Sequence, residues 1–442
     1  MSTRTRRMRR LTVAVAGLAA AGALAAPAVA AHAATRGYTP SPHEWWFNSW
    51  HIQQEVWPVS EGAGVTVGLV DSGVQANIPD LQGVVQPGGD MLGYSTSGEQ
   101  DYESNGGHGT AMAALIAGQG NGIGPVGIAP KVKILPVHAI DPSSSMTPVA
   151  QGIKYAVDHG ASVINLSVGF NAPSATSCDP QLQSAVSYAL ARNAVVVAAS
   201  GDTNKGGSGP EEPGTCAGVL AVGGVEPNGS LWQYSTQGPY VSVAAPGDHL
   251  FIVNSNGQQY SVTASGTSSS SALVSAAAAL IRAKNPSMPW YKVDQQLIGT
   301  ALPDGPQPNN GTGYGIIDIA KALTTTVPAS APNPPYARYQ AYLKSIGQSS
   351  GSSGHGPGAQ PSATAKSAKG SGTLIIVLVV VIVLLIVAAL IIVMVTRGRS
   401  RRGPRNPGGG GYPPGGYGPP GQYPPAPQGQ YPPPGQQYPP PR

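Results

Sequence analysis

The chain has 442 residues and a formal net charge of +5, from 25 lysines and arginines against 20 acidic residues. Five of the arginines lie in the first ten residues and six follow Val395, so residues 34–396 hold 14 basic and 20 acidic side chains, a net charge of −6. An acidic middle offers no basic surface for DNA or RNA, and we therefore expect no nucleic-acid partner.

The amino terminus predicts a secretory signal peptide over residues 1–33. Its five arginines precede an apolar run from Leu11 to Ala26, and small residues with A-x-A spacing follow at 28–30 and 31–33. A basic segment, an apolar segment and a small-residue cleavage site are the three parts of such a peptide. We expect cleavage after Ala30 or Ala33. An uncleaved membrane helix is the weaker alternative, because the run is short for a bilayer.

Apolar strand patterns alternate with helical patterns through the middle of the chain. Near-continuous apolar strands separated by helices are typical of a parallel sheet that is covered on both faces. We therefore predict an α/β domain over residues 63–325 with a mostly parallel central sheet. A tryptophan-rich extension, residues 34–62, precedes it. Its tryptophans are Trp45, Trp46, Trp50 and Trp57.

The carboxy-terminal part predicts a membrane anchor. Residues 326–373 are rich in Pro, Ser and Gly and predict a linker. Residues 374–395 are only Leu, Ile, Val, Ala and Met, long enough for a helix to cross a bilayer core of about 30 Å. Arginines follow this run directly, which places residues 396–442 in the cytoplasm and the domain outside. We expect a single-pass protein of the cell membrane.

The cytoplasmic tail is arginine-rich at its start and then almost wholly Gly, Pro, Gln and Tyr. Such a composition cannot bury a core, and it predicts disorder with polyproline-II character. Two roles stay open for it: a spacing tail, or a docking segment for a cytosolic partner.

The only two cysteines, Cys178 and Cys216, lie in the outward-facing domain. A single pair in an oxidising compartment is expected to form one disulfide, and no cluster of metal-ligand type competes for it. We expect no metal site and no required cofactor. The sequence does not decide whether structural calcium binds.

Three polar residues stand where the chemistry of a parallel sheet collects. Asp71 directly follows the apolar strand VTVGLV, His108 opens a helix in GGHGT, and Ser268 opens another helix in SGTS. Loops at the carboxyl ends of parallel strands meet at one edge of the sheet. A serine nucleophile needs a base within hydrogen-bond reach, and the base needs a carboxylate to orient it. The order Asp–His–Ser differs from that of the chymotrypsin type and of the α/β-hydrolases.

Five sequence blocks carry a family resemblance over roughly residues 40–325. They are VGLVDSGV, GGHGTAMAALIAG, VINLSVG, VSVAAPG and SGTSSSSALVSAAAAL, in this order. The chain resembles the subtilisin-like serine proteases, or subtilases. The resemblance implies a three-layer α/β fold and a serine endopeptidase with Asp71, His108 and Ser268 as its catalytic triad. Ser269, Ser270 and Ser271 would then be polar filler in the first turn of the following helix.

The resemblance also implies where a peptide substrate binds. One extended segment would pair with the substrate backbone, and a second would form the opposite wall of the specificity pocket. The first consists of Ser167, Val168 and Gly169, and the second of Ala199, Ser200 and Gly201. Three further histidines match no catalytic block and are interpreted as structural or surface residues: His138, His159 and His249.

The chain departs from the family pattern at one catalytic position. Asp202 stands where subtilases usually have an asparagine that donates a hydrogen bond to the transition-state oxyanion. Three interpretations follow. A protonated Asp202 could donate and favour acidic pH, the enzyme could be inefficient or inactive, or the loop could shift so that Asn204 donates. We prefer the first. In each of the three interpretations, the backbone N–H of Ser268 also donates a hydrogen bond to the oxyanion.

The overall organisation most resembles the mycosins, the membrane-anchored subtilases of actinobacterial type VII secretion systems. The segment between signal peptide and domain is too short for an independent propeptide domain. The resemblance implies that this segment wraps the domain, that the protein associates with the secretion membrane complex, and that it cleaves a secreted substrate. The alternative is a catalytically weak, structural member of that complex. A general nutrient protease is disfavoured by the anchor.

Overall fold

The computed structural model describes residues 37–347, except 104–105, 122–123, 142–144, 203–208 and 259. The predicted signal peptide, transmembrane helix and cytoplasmic tail lie outside these residues. Within residues 37–347, and leaving aside the same gaps, none of the helices has the length and hydropathy needed to cross a membrane.

Seven parallel strands form the central sheet, in the order β2-β3-β1-β4-β6-β8-β9. Two short antiparallel ribbons, β5–β7 and β10–β11, lie outside it. The strands are β1 (Thr66–Asp71), β2 (Gly89–Asp90), β3 (Lys133–His138), β4 (Val163–Leu166), β5 (Phe170–Asn171), β6 (Val195–Ala199), β7 (Glu211–Glu212), β8 (Leu220–Val225), β9 (Val241–Pro246), β10 (Leu250–Val253) and β11 (Tyr260–Ala264). Consecutive residues of β4, β6, β8 and β9 are all buried, which confirms the α/β prediction of a sheet covered on both faces.

The helices cover this sheet in two groups. Helices α2 and α5 pack against each other and the sheet, and α3 and α4 do the same. The helices are α1 (Trp45–Ser49), α2 (His108–Ala117), α3 (Met146–Asp158), α4 (Pro180–Ala191), α5 (Thr267–Lys284), α6 (Trp290–Gly299), α7 (Ile319–Thr324) and α8 (Pro334–Ser345). A π-helical turn, Ile52–Val56, and a 3₁₀ turn, Pro79–Leu81, complete them. The long, alanine-rich α5 packs against β1, β4, β6, β8 and β9 and is almost wholly buried.

The tryptophan-rich extension is part of the folded domain. Trp46 is fully buried and Trp50 nearly so, within the same apolar core as the sheet. The Trp57 indole donates to the carbonyl of Ile128 at 3.0 Å. Ser60 donates to the carbonyl of Leu280, on α5, at 2.9 Å. The described part of the extension therefore packs along the domain over its length.

The predicted linker differs from the structure in its first part. Helix α8 lies inside that segment, capped by Asn333, whose side chain accepts a hydrogen bond from a backbone N–H of the first turn. The rings of Tyr336 and Tyr339 both lie 5.8 Å from the Trp290 ring. Because this aromatic contact anchors α8 to α6, the folded domain continues to at least residue 347.

Candidate active site

Three neighbouring strands deliver the candidate residues to one edge of the sheet. β1, β4 and β6 are adjacent and parallel. Asp71 is the last residue of β1, Ser167 directly follows β4, and Asp202 follows β6. Strand order reverses at β1, because β3 and β2 extend on one side and the later strands on the other. Ligand sites of open α/β sheets form at such a switch point.

Asp71 and His108 form a hydrogen-bonded pair. The Asp71 carboxylate is buried, and its Oδ1 lies 2.7 Å from Nδ1 of His108. The backbone N–H of Ser72 donates to the same oxygen at 2.8 Å. This contact leaves the other imidazole nitrogen, Nε2, for a reacting group, which is the arrangement that a general base requires.

Glycines let the His108 helix approach the Asp71 loop. A Cβ on Gly109 would lie 2.1 Å from the carbonyl oxygen of Gly73, so only glycine fits there. Gly107, just before the helix, has a φ of 83°, in the left-handed region that glycine adopts without strain. The glycines that flank His108 in the sequence therefore serve its positioning.

Two acidic residues that the sequence analysis missed support this pair. Asp101 accepts hydrogen bonds from the backbone N–H of Thr110, at 2.8 Å, and from the Ser72 hydroxyl, at 2.9 Å. Glu103 accepts from the backbone N–H of His108 at 2.6 Å. Acidic residues just before a helix amino terminus are a recognisable signal, because the free N–H groups there attract negative charge.

These carboxylates set the charge state of His108. Burial alone would lower the pKa of its imidazole. The carboxylate of Asp71, and then those of Glu103 and Asp101, outweigh burial and raise the pKa of His108 to about 9. The imidazole is therefore mainly protonated at neutral pH in the substrate-free protein.

Ser268 lies in the first turn of α5, where backbone N–H groups have no partner within the helix. Its hydroxyl donates to the carbonyl of Ser167 at 3.1 Å, and the Ser167 hydroxyl donates to the carbonyl of Ser268 at 2.7 Å. His108, Asp202 and Ser268 line one cavity of about 260 Å³. The structure thus brings the sequence-predicted residues of three separate loops to a single cleft.

Ser269, Ser270 and Ser271 lie at the start of α5, as expected, and all three are buried. Ser271 and Ser275 donate to Oδ1 of Asn165 at 3.1 and 2.9 Å, and Ser270 donates to the carbonyl of Pro246 at 3.0 Å. All of these side chains are at most 1% exposed. These hydroxyls do more than fill space, because α5 lies against the sheet and they satisfy buried carbonyl and amide groups there.

Asp202 lines the cleft, and one of its two carboxyl oxygens accepts hydrogen bonds. Its Oδ1 accepts from the backbone N–H of Thr267 at 2.9 Å and from the Thr267 hydroxyl at 2.7 Å. A Cβ on Gly266 would lie 3.1 Å from the other oxygen, Oδ2. Asp202 thus accepts hydrogen bonds at the position where the sequence analysis expects an oxyanion donor. Asn204, the alternative donor, lies outside the described residues.

The two backbone segments that the resemblance predicts as walls of the substrate site follow the neighbouring strands β4 and β6. Ser167, Val168 and Gly169 follow β4, and Ala199, Ser200 and Gly201 end and follow β6. The Tyr240 hydroxyl supports the second wall by donating to the carbonyl of Ser200 at 2.7 Å. The sequence analysis missed Glu211, whose carboxylate contacts glycines of both walls.

The other histidines have positions that fit structural or surface roles. His138 is fully buried, with its Nδ1 3.0 Å from a buried carboxylate oxygen of Asp90. His159 stacks on the Tyr155 ring with centroids 3.8 Å apart, and His249 is exposed. None of the three lines the cleft formed by described residues around Ser268.

Cys178 and Cys216 are joined in a disulfide. Together with Glu212 they form the one group of three potential ligand residues, among those the structure describes, whose ligand atoms lie close enough to share a metal ion. Both sulfurs are already committed to the disulfide, so this group does not offer thiolate ligands.

Comparisons with known proteins identify relatives of the chain. A model of the subtilase family matches residues 62–315. Thermitase of Thermoactinomyces vulgaris is 38% identical over 230 residues, which cover 51% of this chain and 78% of thermitase. Mycosin-3 of Mycobacterium tuberculosis is 32% identical over 329 residues, which cover 62% of this chain and 70% of mycosin-3.

Solved structures give the same relationship. The crystal structure of MycP1 from Mycobacterium smegmatis has a TM-score of 0.57 at 28% identity and covers 67% of this chain and 89% of that one. The MycP3 protease from the type VII (ESX-3) secretion system has a TM-score of 0.57 at 30% identity, covering 66% of this chain and 90% of that one. The matched family region spans more than half of the chain and includes Asp71, His108 and Ser268. The chain belongs to the subtilase family of serine peptidases and is related to the mycosins.

Proposed function

We propose that this protein is an extracytoplasmic serine endopeptidase, anchored to the cell membrane by residues 374–395, with Asp71, His108 and Ser268 as its catalytic triad. The observation that carries the proposal is the 2.7 Å contact between Asp71 and Nδ1 of His108 at a cleft that Ser268 shares. Its substrates are proteins or peptides.

Each residue of the triad has one task. His108 Nε2 accepts the hydroxyl proton while Ser268 Oγ attacks the peptide carbonyl carbon, and His108 then returns that proton to the leaving amine. Asp71 holds the imidazole orientation and stabilises its charged form. In the substrate-free structure the Ser268 hydroxyl donates to Ser167, so catalysis requires it to exchange that carbonyl for His108, as catalytic contacts often do when substrate binds.

A link to type VII secretion is part of the proposal. It is supported by the relationship to mycosin-3 and to the MycP3 protease of the type VII (ESX-3) secretion system. The predicted signal peptide would direct the domain across the membrane, and the predicted anchor would hold it at the outer face, beside such a complex. We expect that complex to be its partner and a secreted protein to be its substrate.

A fluorophosphonate probe tests the enzymatic part of the proposal. The probe forms a phosphorus–oxygen bond with an activated serine and releases fluoride. We expect the purified full-length protein to be labelled at Ser268, located by mass spectrometry, and more strongly at pH 9 than at pH 5. The Ser268→Ala variant is the control and should not react. A folded protein that stays unlabelled at every pH would contradict the proposed activity.

Asp202 favours a second candidate function, that of a catalytically weak structural member of the secretion complex. A carboxylate at this position would repel the negative charge of the transition state. The Ser268→Ala change in the source organism separates the two functions. A structural role survives this change, so the secretion complex would keep its normal abundance while deletion of the whole chain would reduce it.

A further inference from the structure

The loop between β9 and β10 contacts the segment that carries Ser268. This β9–β10 loop consists of Gly247, Asp248 and His249. The Gly266 N–H donates to the carbonyl of the first of these residues at 2.9 Å, and the Ser265 hydroxyl donates to the carboxylate of the second. Both donors directly precede the Thr267–Ser268 turn and line the same cleft as Ser268. A shift of the β9–β10 loop would therefore move the proposed nucleophile.

The β9–β10 loop also contacts α5 on the other side of Ser268. The Ser270 hydroxyl donates to the carbonyl of Pro246, just before the loop, at 3.0 Å. A Cβ on Gly247 would lie 2.7 Å from Oγ of Ser270 and 2.6 Å from Cα of Gly224, on β8. Because the loop is packed this closely against α5 and the sheet, its outer side is where another part of the chain can hold it.

The amino-terminal extension holds that outer side. The indole N–H of Trp45 donates to the carbonyls of Asp248 and His249, at 3.3 and 3.2 Å, across more than 200 residues of sequence. The His43 ring lies 5.8 Å from the ring of Phe251, on β10. His249 has a φ of 52°, in the left-handed region that residues other than glycine adopt only rarely. Such a backbone conformation persists where its surroundings fix it, and Trp45 provides two of the contacts that do so.

We propose that Trp45 is a positioning residue for Ser268, because it holds the β9–β10 loop in the conformation that presents this serine to His108. The inference rests on the proposed function, since it takes Ser268 to be the nucleophile. Small displacements matter at such a site: a misplacement of about 1 Å costs on the order of 10²-fold in rate. The extension thus supports the chemistry of the cleft as well as the stability of the domain.

Two matched tryptophan variants test this inference. Trp45→Phe keeps an aromatic ring and removes only the indole N–H. Trp57→Phe makes the same change elsewhere in the extension, where the lost N–H donates to the carbonyl of Ile128 at 3.0 Å. Among the described residues that line the cleft, Ile128 is absent, so this variant controls for the loss of one hydrogen bond between extension and domain.

Saturation kinetics of fluorophosphonate labelling provides the measurement, on the full-length proteins. It separates the rate constant of bond formation at Ser268, kinact, from probe binding, KI. We expect Trp45→Phe to lower kinact at least about 10-fold with KI nearly unchanged, and Trp57→Phe to change neither. Urea unfolding should show a similar, small loss of stability in both variants. Equal kinact in the wild type and Trp45→Phe would overturn the inference, and so would an equal loss of kinact in the two variants.

A double substitution identifies the β9–β10 loop as the route. Ser265→Ala removes the hydroxyl that donates to Asp248 and should also lower kinact. If Trp45 and Ser265 act through the same loop, the variant with both changes should lose no more than the larger of the two single losses. Losses that multiply in the double variant would mean that Trp45 does not act through this loop, which would contradict the proposal.

Hydrogen–deuterium exchange separates this inference from the proposed activity. In the Ser268→Ala background, Trp45→Phe should speed exchange in peptides that contain the Gly266 amide, which donates to Gly247, and Trp57→Phe should not. Unchanged exchange in Trp45→Phe overturns the inference even if the probe labels the wild-type protein. Faster exchange that is specific to Trp45→Phe supports the positioning role even if the probe labels no serine.

Discussion

At the residue scale, His108 sets the pH range in which this subtilase can act. The imidazole must be neutral to accept a proton, yet Asp71, Glu103 and Asp101 raise the pKa of His108 to about 9 against burial. Activity should therefore rise with pH through the alkaline range. This expectation opposes the one drawn from a protonated Asp202, which favours acidic pH.

The substitution Glu103→Gln tests this electrostatic argument. Glutamine can still accept the hydrogen bond from the His108 backbone N–H, which Glu103 accepts at 2.6 Å, but it carries no charge. Removing a nearby negative charge lowers the pKa of His108, so the rising limb of kcat/KM should move to lower pH, by up to about one unit. Profiles from pH 5 to 10 for both proteins provide the measurement. A wild-type limb centred at or below pH 6.5 would contradict the argument.

Asp202→Asn should strengthen catalysis. Oδ1 of Asp202 already accepts two hydrogen bonds from Thr267, so an asparagine oxygen should take the same place and leave its NH₂ group where Oδ2 now lies. This amide would donate to the oxyanion instead of repelling it. Loss of one such donor costs about 10²–10³ in kcat, a magnitude measured in a subtilase, so we expect a gain of about 10²-fold.

Asp202→Ala separates the two contributions to that gain. Alanine removes the repulsive charge without adding a donor, so its kcat should lie between those of the wild type and Asp202→Asn. Steady-state kinetics on one peptide substrate suffices, with KM nearly unchanged in all three proteins. A lower kcat for Asp202→Asn than for the wild type would show that the native carboxyl itself acts as a donor.

The sequence predicts the proposed catalytic residues better than it predicts their surroundings. Asp71, His108 and Ser268 stand in short glycine-flanked motifs at the ends of strands and the starts of helices, so local patterns locate them. The position of Glu211 beside Gly169 and Gly201 depends on pairing between β5 and β7, which are about 40 residues apart along the chain and carry no motif. The burial of Ser271 likewise depends on how α5 packs against β4.

At the element scale, α8 shows where composition misleads. Its segment is rich in Pro, Ser and Ala and predicts a linker, yet Asn333 and Pro334 are a recognisable helix start. Tyr336 and Tyr339 lie three residues apart and so share one helix face, which packs on Trp290. Average composition does not record this spacing.

Arg338 is the residue through which α8 should stabilise the domain. Its guanidinium donates to the carbonyls of Val219 and Thr215, at 2.8 and 3.4 Å, and lies near the buried carboxyl of Asp294. Arg338→Met leaves these two carbonyls without their donor, so we expect the free energy of unfolding to fall by about 1–3 kcal/mol, the range for leaving buried polar groups unsatisfied. Urea unfolding of the full-length protein measures this loss.

A double substitution provides the control for Arg338. Burial raises the pKa of Asp294 well above its ordinary value, although Arg282 and Arg338 both oppose this rise. Replacing the carboxyl as well, in Arg338→Met with Asp294→Leu, removes the buried polar group and should restore part of the lost stability. Equal stability of the wild type and of Arg338→Met would show that α8 is only loosely attached.

At the scale of the whole molecule, the amino-terminal extension is joined to the domain by a buried carboxyl. Glu44 is 1% exposed, and its oxygens accept from the backbone N–H groups of Val126 at 2.8 Å and Ser41 at 2.6 Å. Burial raises the pKa of Glu44 to about 8, these hydrogen bonds oppose the rise, and Asp80 adds to it. The extension thus enters the fold with a carboxyl that keeps its proton near neutral pH.

This carboxyl makes stability depend on pH in a definite direction. Unfolded Glu44 has an ordinary pKa near 4.5 and folded Glu44 one of about 8, so the folded state binds the proton more tightly. The stabilisation is fully present below pH 4.5, decreases between pH 4.5 and 8, and is lost above pH 8. Its total is roughly 3–5 kcal/mol, because each pKa unit corresponds to about 1.4 kcal/mol.

Glu44→Gln should remove this part of the pH dependence. The amide cannot ionise, so the variant and the wild type should have similar stability at pH 5, and the variant should be the more stable at pH 8.5. Other groups titrate in the same range, but they are common to both proteins and cancel in the difference between their free energies of unfolding. Glu55→Gln, an exposed change in the same extension, should show no such difference. If the wild type and Glu44→Gln lose stability in parallel from pH 5 to 8.5, Glu44 is ionised in the folded protein and contributes no pH-dependent stabilisation to the extension.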